Sequence, residues 1–279
     1  MLDLRRPPGA LPLLVAHRGA ADLAPENTLA AFRLAAEHGA DIVELDVHLS
    51  ADGHAVVIHD SYLSRTTSGL GPVARMTLAE LKTLDAGSWF DRRFAGERIP
   101  TLDEALTWAR QQTPPTRLMI ELKGSRPLFR RGLAETCVRL VAAHEMAERV
   151  VFISFYHPHL ERVKAIAPHI AVGTIVKQRV LDRVLTRWLD RRPELEHNRL
   201  ARWLLLRPLR ISRKVRADSL SIPASALTCT LVEAAHAAGL AVSPGGMEWD
   251  YPWIIALGAD TVSTEDPAWV RTVFLTPES

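Results

Sequence analysis

Short apolar runs recur along the chain, and between them apolar residues return every three or four positions. The strand candidates are LLVAHR (13–18), DIVELDV (41–47), AVVIHD (55–60), RLMIELK (117–123), RVVFISF (149–155), AVGTIV (171–176), SLSIP (219–223), LAVSP (240–244) and DTVST (260–264). Continuous apolar runs of this kind suit strands covered on both faces, as in parallel sheets. The helices between them have readable ends. NTLAAFRLAAEHG (27–39) starts with Asn27 or Thr28 as N-cap and has Gly39 just past its end. TLDEALTWARQQ (101–112) opens with the capping box Thr101 and Glu104, and TLVEAAHAAG (230–239) repeats the device with Thr230 and Glu233. Strand then helix, repeated, predicts an α/β fold with a parallel sheet. The turn ADG (51–53) makes the third run the antiparallel return of the second. Eight strands then remain, enough to close a (β/α)8 TIM barrel, and 279 residues suit one such domain, typically about 250 residues long.

The polar residues interrupting these runs change the picture. In VELDVHL (43–49), Glu44, Asp46 and His48 share one parity and so one face of a strand. The first strand ends in His17-Arg18-Gly19, the hairpin return ends in His59-Asp60, and Glu121 and Lys123 lie two apart on a further strand. Barrel active sites form at the C-terminal ends of the strands, so these groups are expected to converge. Glu44, Asp46 and Glu121 make an oxygen-rich set for one hard divalent cation, Mg2+ or Ca2+. Arg18 and Lys123 supply positive charge for a phosphate. His17 and His59 exchange protons near neutral pH. A cation site, two basic side chains and two proton carriers together fit phosphodiester cleavage. His48 lies further along its strand, and a supporting or rim position is expected for it.

Composition narrows the setting. The formal net charge is only +2, which gives no general case for nucleic acid. Cys137 and Cys229 are far apart and form no disulfide framework, so a reducing cytoplasm is the expected compartment. The N-terminal apolar run is broken by Pro7, Pro8 and Pro12 and does not read as a signal peptide.

At the residues already singled out, the chain resembles the glycerophosphodiester phosphodiesterases, relatives of the phosphatidylinositol-specific phospholipases C. The matching segments include AHRGAADLAPENTLAAF (16–32), GADIVELDVHLSADGHAVVIHD (39–60), SRTTSGLGPV (64–73), FAGERIPTLDEAL (94–106), IELK (120–123) and GADTVSTEDP (258–267). The resemblance implies a (β/α)8 barrel with a small insertion, about residues 61–115, over its mouth. It implies metal-dependent hydrolysis of glycerophosphodiesters to sn-glycerol 3-phosphate and an alcohol, with the glycerol 2-hydroxyl attacking first to give a cyclic phosphate. Carried over by position, it makes His17 and His59 the acid–base pair, Glu44, Asp46 and Glu121 the metal ligands, and Arg18 and Lys123 the phosphate contacts. Asn27 is expected beside this set. Two departures stand out. VSPGGMEWDYPW (242–253) lacks the family's Trp-Thr-x-Asn-like stretch, so Trp249 or Tyr251 is expected to line the pocket instead, and a usual Thr-Asp is Thr264-Glu265. Neither departure is expected to touch the metal or the histidines.

Residues 177–217 hold 13 Lys/Arg against 4 Asp/Glu, a charge of +9 that leaves the remainder at −7. Val180, Leu181, Val184, Leu185, Trp188 and Leu189 recur at helical spacing within it. Such a stripe serves either to cover the barrel and contact another subunit in a homo-oligomer, or to rest on anionic lipid at the inner membrane surface. A lysophospholipase D-like activity at a membrane is therefore the alternative enzymatic reading, and a non-catalytic phosphate- or lipid-binding module is the non-enzymatic one.

Overall fold

The computed structural model describes residues 1–7, 9–113, 116–124, 132–177, 206–245 and 250–275. The strands among them are β1 (Leu13–Ala16), β2 (Ile42–Leu49), β3 (Ala55–Val57), β4 (Arg117–Leu122), β5 (Val150–Ser154), β6 (Ala171–Ile175), β7 (Ser219–Pro223), β8 (Ala241–Gly245) and β9 (Thr261–Thr264). They lie in the order β8-β7-β6-β5-β4-β2-β1-β9, all parallel, while β3 folds back antiparallel on β2. At the seam, the Asp260 amide donates to Val242 O at 2.9 Å and the hydroxyls of Ser243 and Thr261 lie 2.6 Å apart. Eight parallel strands thus form a nearly closed barrel, and the ninth is the expected hairpin return.

The helices are α1 (Leu29–Glu37), α2 (Leu78–Leu81), α3 (Leu102–Gln111), α4 (Leu133–Ala143), α5 (His157–Ile166), α6 (Arg207–Val215), α7 (Cys229–Ala237), α8 (Tyr251–Ala256) and α9 (Pro267–Phe274). Thr28 caps α1 by accepting from the Ala31 amide, which frees Asn27 for other use. The capping box of α3 forms as expected. That of α7 does not. Thr228 is the cap, with extended backbone and its hydroxyl accepting from Leu231 N at 3.2 Å, so the helix starts before Thr230 and Glu233 lies too far along it to close a box.

Alternation along the strands sorts the core. Val43, Leu45 and Val47 of β2, Leu118 and Ile120 of β4 and Phe152 of β5 point outward into a core shared with α1, α3, α4 and α5. Their inward neighbours Ile42, Met119, Val151, Ala171 and Ala241 fill the lower barrel, where Leu2 and Leu4 join them. Two residues further up the same inward faces come Glu44 and Glu121, and two beyond Glu44 comes Asp46. The barrel is therefore apolar below and acidic at its mouth.

A small separate core of Val56, Ile58, Leu63, Val73, Leu81, Ala86 and Ile99 supports the segment between β3 and α3. Most of the basic stretch, 178–205, lies outside the described residues, as does Trp249. Its final part forms α6, which buries Leu209, Ser212 and Val215 against the barrel. Among the described residues no helix is long and apolar enough to cross a membrane.

Candidate active site

Register brings the acidic residues together. Asp46 and Glu121 are direct partners across the β2–β4 ladder, and Glu44 is one inward position below Asp46. One oxygen from each of the three buried carboxylates lies within 4.8 Å of the others. Burial, reinforced by the charge of Asp46, pushes Glu44 up to about 8. Burial likewise raises Glu121 despite the adjacent Lys123. Burial would also raise Asp46, but Lys123, His59, Arg18 and an Asn27 hydrogen bond hold it well below the usual carboxylate range. Lys123 Nζ lies 2.8 Å from Glu121 Oε2 and 2.9 Å from Asp46 Oδ1, yet Asp46 Oδ1 has no aligned hydrogen bond. Three crowded carboxylates with an oxygen left short of a donor fit a hard divalent cation.

The loop after β1 braces this group from the side. Arg18 and Asn27 both adopt left-handed backbone, at φ 57° and 59°, a conformation uncommon without glycine and concentrated at functional sites. That twist aims the Arg18 amide at Glu44 Oε2, 2.9 Å away. Asn27 grips Asp46 twice, donating from Nδ2 to Oδ2 at 2.8 Å and accepting from the Asp46 amide at 3.1 Å. Between Arg18 and Ala20 the chain passes so near α1 that a Cβ on Gly19 would sit 2.8 Å from the Ala31 backbone. Glycine is required there both for space and for its φ of 85°.

The two histidines stand over the carboxylates. His17 follows β1, and its Nδ1 lies 3.0 Å from Glu265 Oε1 at the end of β9. Burial opposes its protonation, but Glu265, Glu44 and Asp46 outweigh that, and its pKa is raised. The expectation that residue 265 would not touch a histidine is therefore wrong. β1 and β9 are neighbours because the last strand of the chain pairs with the first in the sheet, a contact across 248 positions that no local pattern reveals.

His59 comes in on the hairpin return, tied down where the Ile58 amide donates to Asp46 O at 3.0 Å. Its Nδ1 lies 2.7 Å from Asp60 Oδ1. Burial and the positive charges of Lys123 and Arg18 lower its pKa, against the pull of Asp46 and Asp60. His48 places Nε2 3.0 Å from His59 O and so donates to the backbone that carries His59. Burial lowers the pKa of His48 too, in keeping with a neutral ring that serves as a donor.

Two cavities meet at this point. An inner one of about 290 Å³ is lined by His17, Arg18, Glu44, Ser243, Tyr251 and Glu265. An outer one of about 640 Å³ is lined by His48, Asp60, Tyr62, Ser154, Tyr156 and Lys177. His59, Glu121, Lys123 and Phe155 line both. Tyr251 contributes to the inner wall, with its hydroxyl donating to Ser263 O at 3.1 Å.

Known proteins carry the same arrangement of chain. The chain is 45% identical over 163 residues to a glycerophosphodiester phosphodiesterase of Caldanaerobacter subterraneus subsp. tengcongensis, a stretch covering 58% of this chain and 66% of that protein. It therefore spans just under two thirds of that relative's length. Its fold matches the crystal structure of a glycerophosphodiester phosphodiesterase from Agrobacterium tumefaciens, with a TM-score of 0.72 and 30% identity over 94% of this chain and all of that one. It also matches the structure of an Oleispira antarctica phosphodiesterase in complex with the product sn-glycerol-3-phosphate, with a TM-score of 0.74 and 31% identity over 95% of this chain and 98% of that one. The model of the glycerophosphoryl diester phosphodiesterase family matches residues 17–268, and the chain belongs to that family.

Proposed function

We propose that this protein hydrolyses glycerophosphodiesters to sn-glycerol 3-phosphate and an alcohol. The observation carrying this reading is a buried carboxylate triad with two histidines beside it, each held at Nδ1 by a carboxylate, and with Lys123 and Arg18 both against Asp46. The sn-glycerol-3-phosphate bound by the Oleispira relative supports the choice of substrate.

Glu44, Asp46 and Glu121 would hold the divalent cation, which when bound supplies Lewis-acid polarisation of a phosphoryl oxygen. The diester phosphate lies in the inner cavity against Lys123 and Arg18, whose charges offset the negative charge gathering on phosphorus-bound oxygens. His59, the histidine with the lowered pKa, is neutral and takes a proton from the attacking glycerol 2-hydroxyl. His17, with the raised pKa, carries a proton and delivers it to the leaving alcohol as its bond to phosphorus breaks. In the second half the roles reverse. His17 takes a proton from water as the oxygen attacks phosphorus, and His59 returns its proton to the 2-oxygen as the cyclic phosphate opens. Both histidines end in their starting states, and the sum is one diester plus one water.

Incubation with glycerophosphodiesters of differing headgroup, followed by enzymatic detection of glycerol 3-phosphate, tests the proposal. Release from at least one of them is expected. No release from any, in the presence of Mg2+ or Ca2+, would remove it.

A further inference from the structure

The outward side of the site holds a chain of charges that the reaction does not use directly. Arg65 stands at the end of a 3-10 turn, Leu63–Arg65, in the segment between β3 and α3. Its guanidinium makes two forks. Toward Asp60 it donates from Nε to Oδ2 at 2.7 Å and from Nη2 to Oδ1 at 3.1 Å. Toward Glu26 it donates from Nη1 to Oε2 at 2.7 Å and from Nη2 to Oε1 at 2.8 Å. Each carboxylate also holds a residue of the site. Asp60 Oδ1 accepts from His59 Nδ1 at 2.7 Å, and Glu26 Oε1 accepts from Arg18 Nη1 at 2.9 Å.

We infer that Arg65 is a positioning residue: one guanidinium fixes both the carboxylate that orients His59 and the carboxylate that orients Arg18. This rests on the hydrolytic reading for what those two side chains do, but the geometry stands apart from it. Three separate parts of the chain meet here, the loop after β1, the end of the hairpin and the 3-10 turn, and Arg65 is the cation common to both carboxylates. The turn itself is anchored. Leu63 is fully buried in the small core, its amide donates to Gly71 O at 3.0 Å, and its carbonyl accepts from Thr67 Oγ1 at 2.7 Å. Arg65 thus transmits the position of that core to two sides of the site. Only a planar group with several diverging N–H donors can fork two carboxylates at once, and a lysine ammonium cannot. The Arg65 side chain is 43% exposed, so the pairs are open to solvent and ions, and their part in overall stability is correspondingly small.

The test uses Arg65→Ala and Arg65→Lys in the full chain. Loss of the double fork should lower kcat by about 10- to 100-fold, as expected when a reacting group is slightly misplaced. Arg65→Lys should recover only part of the loss. Guanidinium chloride at a few millimolar, far below denaturing concentrations, should raise kcat of Arg65→Ala and leave the wild type unchanged. A second readout needs no activity: the ring titration of His59, followed by NMR without substrate, should move in Arg65→Ala and return when guanidinium is added. The groups that face His59 are Asp60, Asp46, Lys123, Arg18 and His48, and of these Arg65 holds Asp60 directly and Arg18 through Glu26. Unchanged kcat, full recovery by lysine, or a His59 titration indifferent to both variants would each overturn the inference. If the wild type hydrolyses no glycerophosphodiester, the functional reading fails, and the His59 titration still decides on Arg65. Should Arg65→Ala fail to fold, Arg65→Lys with the same titration takes its place.

Discussion

The two histidines of the site look alike in one respect and differ in the rest. Each has Nδ1 against a carboxylate, at 3.0 Å for His17 and 2.7 Å for His59. His17 draws its carboxylate from β9, at the other end of the chain, and its pKa is raised. His59 draws its own from the next residue, Asp60, and its pKa is lowered. The difference lies in the neighbours. His17 faces Glu44 and Glu265, so proton binding relieves a concentration of negative charge. For His59 burial comes first, and with Lys123 and Arg18 it outweighs Asp46 and an Asp60 carboxylate that is shared with Arg65. The same hydrogen-bonded pair therefore sits beside opposite pKa shifts, the pattern on which the proposed acid and base roles rest.

Chelation should have the largest effect, because it removes a component that both histidines work beside. Activity is expected to vanish with a chelator and return with added Mg2+ or Ca2+, measured as glycerol 3-phosphate release. Persistence of full activity would show that the triad needs no cation. Next come His17→Ala and His59→Ala, each expected to lower turnover by at least about 100-fold, the low end for loss of a general acid or base. Wild-type turnover in either variant would end the assignment of that histidine.

Glu265→Gln addresses the contrast itself. The carboxylate raises the pKa of His17, so its removal lowers it, and the protonated acid is lost at lower pH. The alkaline limb of kcat/KM should move toward lower pH, with kcat reduced by about 10-fold or less; an unmoved limb would mean that Glu265 does not tune His17. Asp60→Asn should move the opposite limb. The Asp60 hydrogen bond, like Asp46, raises the pKa of His59 against burial, Lys123 and Arg18, so losing it is expected to let His59 stay neutral to lower pH, and the acid limb extends downward.

The smallest expected effect is on stability. Arg65, followed by His59, lowers the pKa of Asp60 to about 2, below the unfolded value of about 3.9. A depressed carboxylate contributes stability that is present above the unfolded value and lost as pH falls toward the folded one. Between about pH 4 and pH 2, wild-type melting temperature should therefore fall more steeply than that of Asp60→Asn, with the gap narrowing in high salt. Parallel curves would show that the pair does not stabilise the fold.

Much of this was legible from residue patterns. The alternation of strands and helices announced the barrel, and ADG (51–53) identified the hairpin that brings the strand count to eight. Glu44, Asp46, Glu121, His17 and His59 were all marked by polar residues interrupting apolar strands, because a charge inside a buried run needs a reason to be there. The misread cap of α7 was a competition between two threonines two positions apart, Thr228 and Thr230, which backbone geometry settled. Glu26 and Arg65 carried no such signal. Each lies in a polar loop, where charged residues are ordinary, and 39 positions separate them.

The sequence by itself determined which side chains face the barrel interior, since period-two alternation assigns every strand residue to one face. It determined that the interior changes from apolar to acidic along β2 and β4. Only the tertiary structure decided who partners whom: Glu265 with His17, Asn27 with Asp46, His48 with the His59 backbone, and Arg65 with Glu26 and Asp60. Facing direction is a local property of the backbone. Partnership depends on register and strand order in the barrel, which place His17 and Glu265, 248 positions apart, within a hydrogen bond of each other.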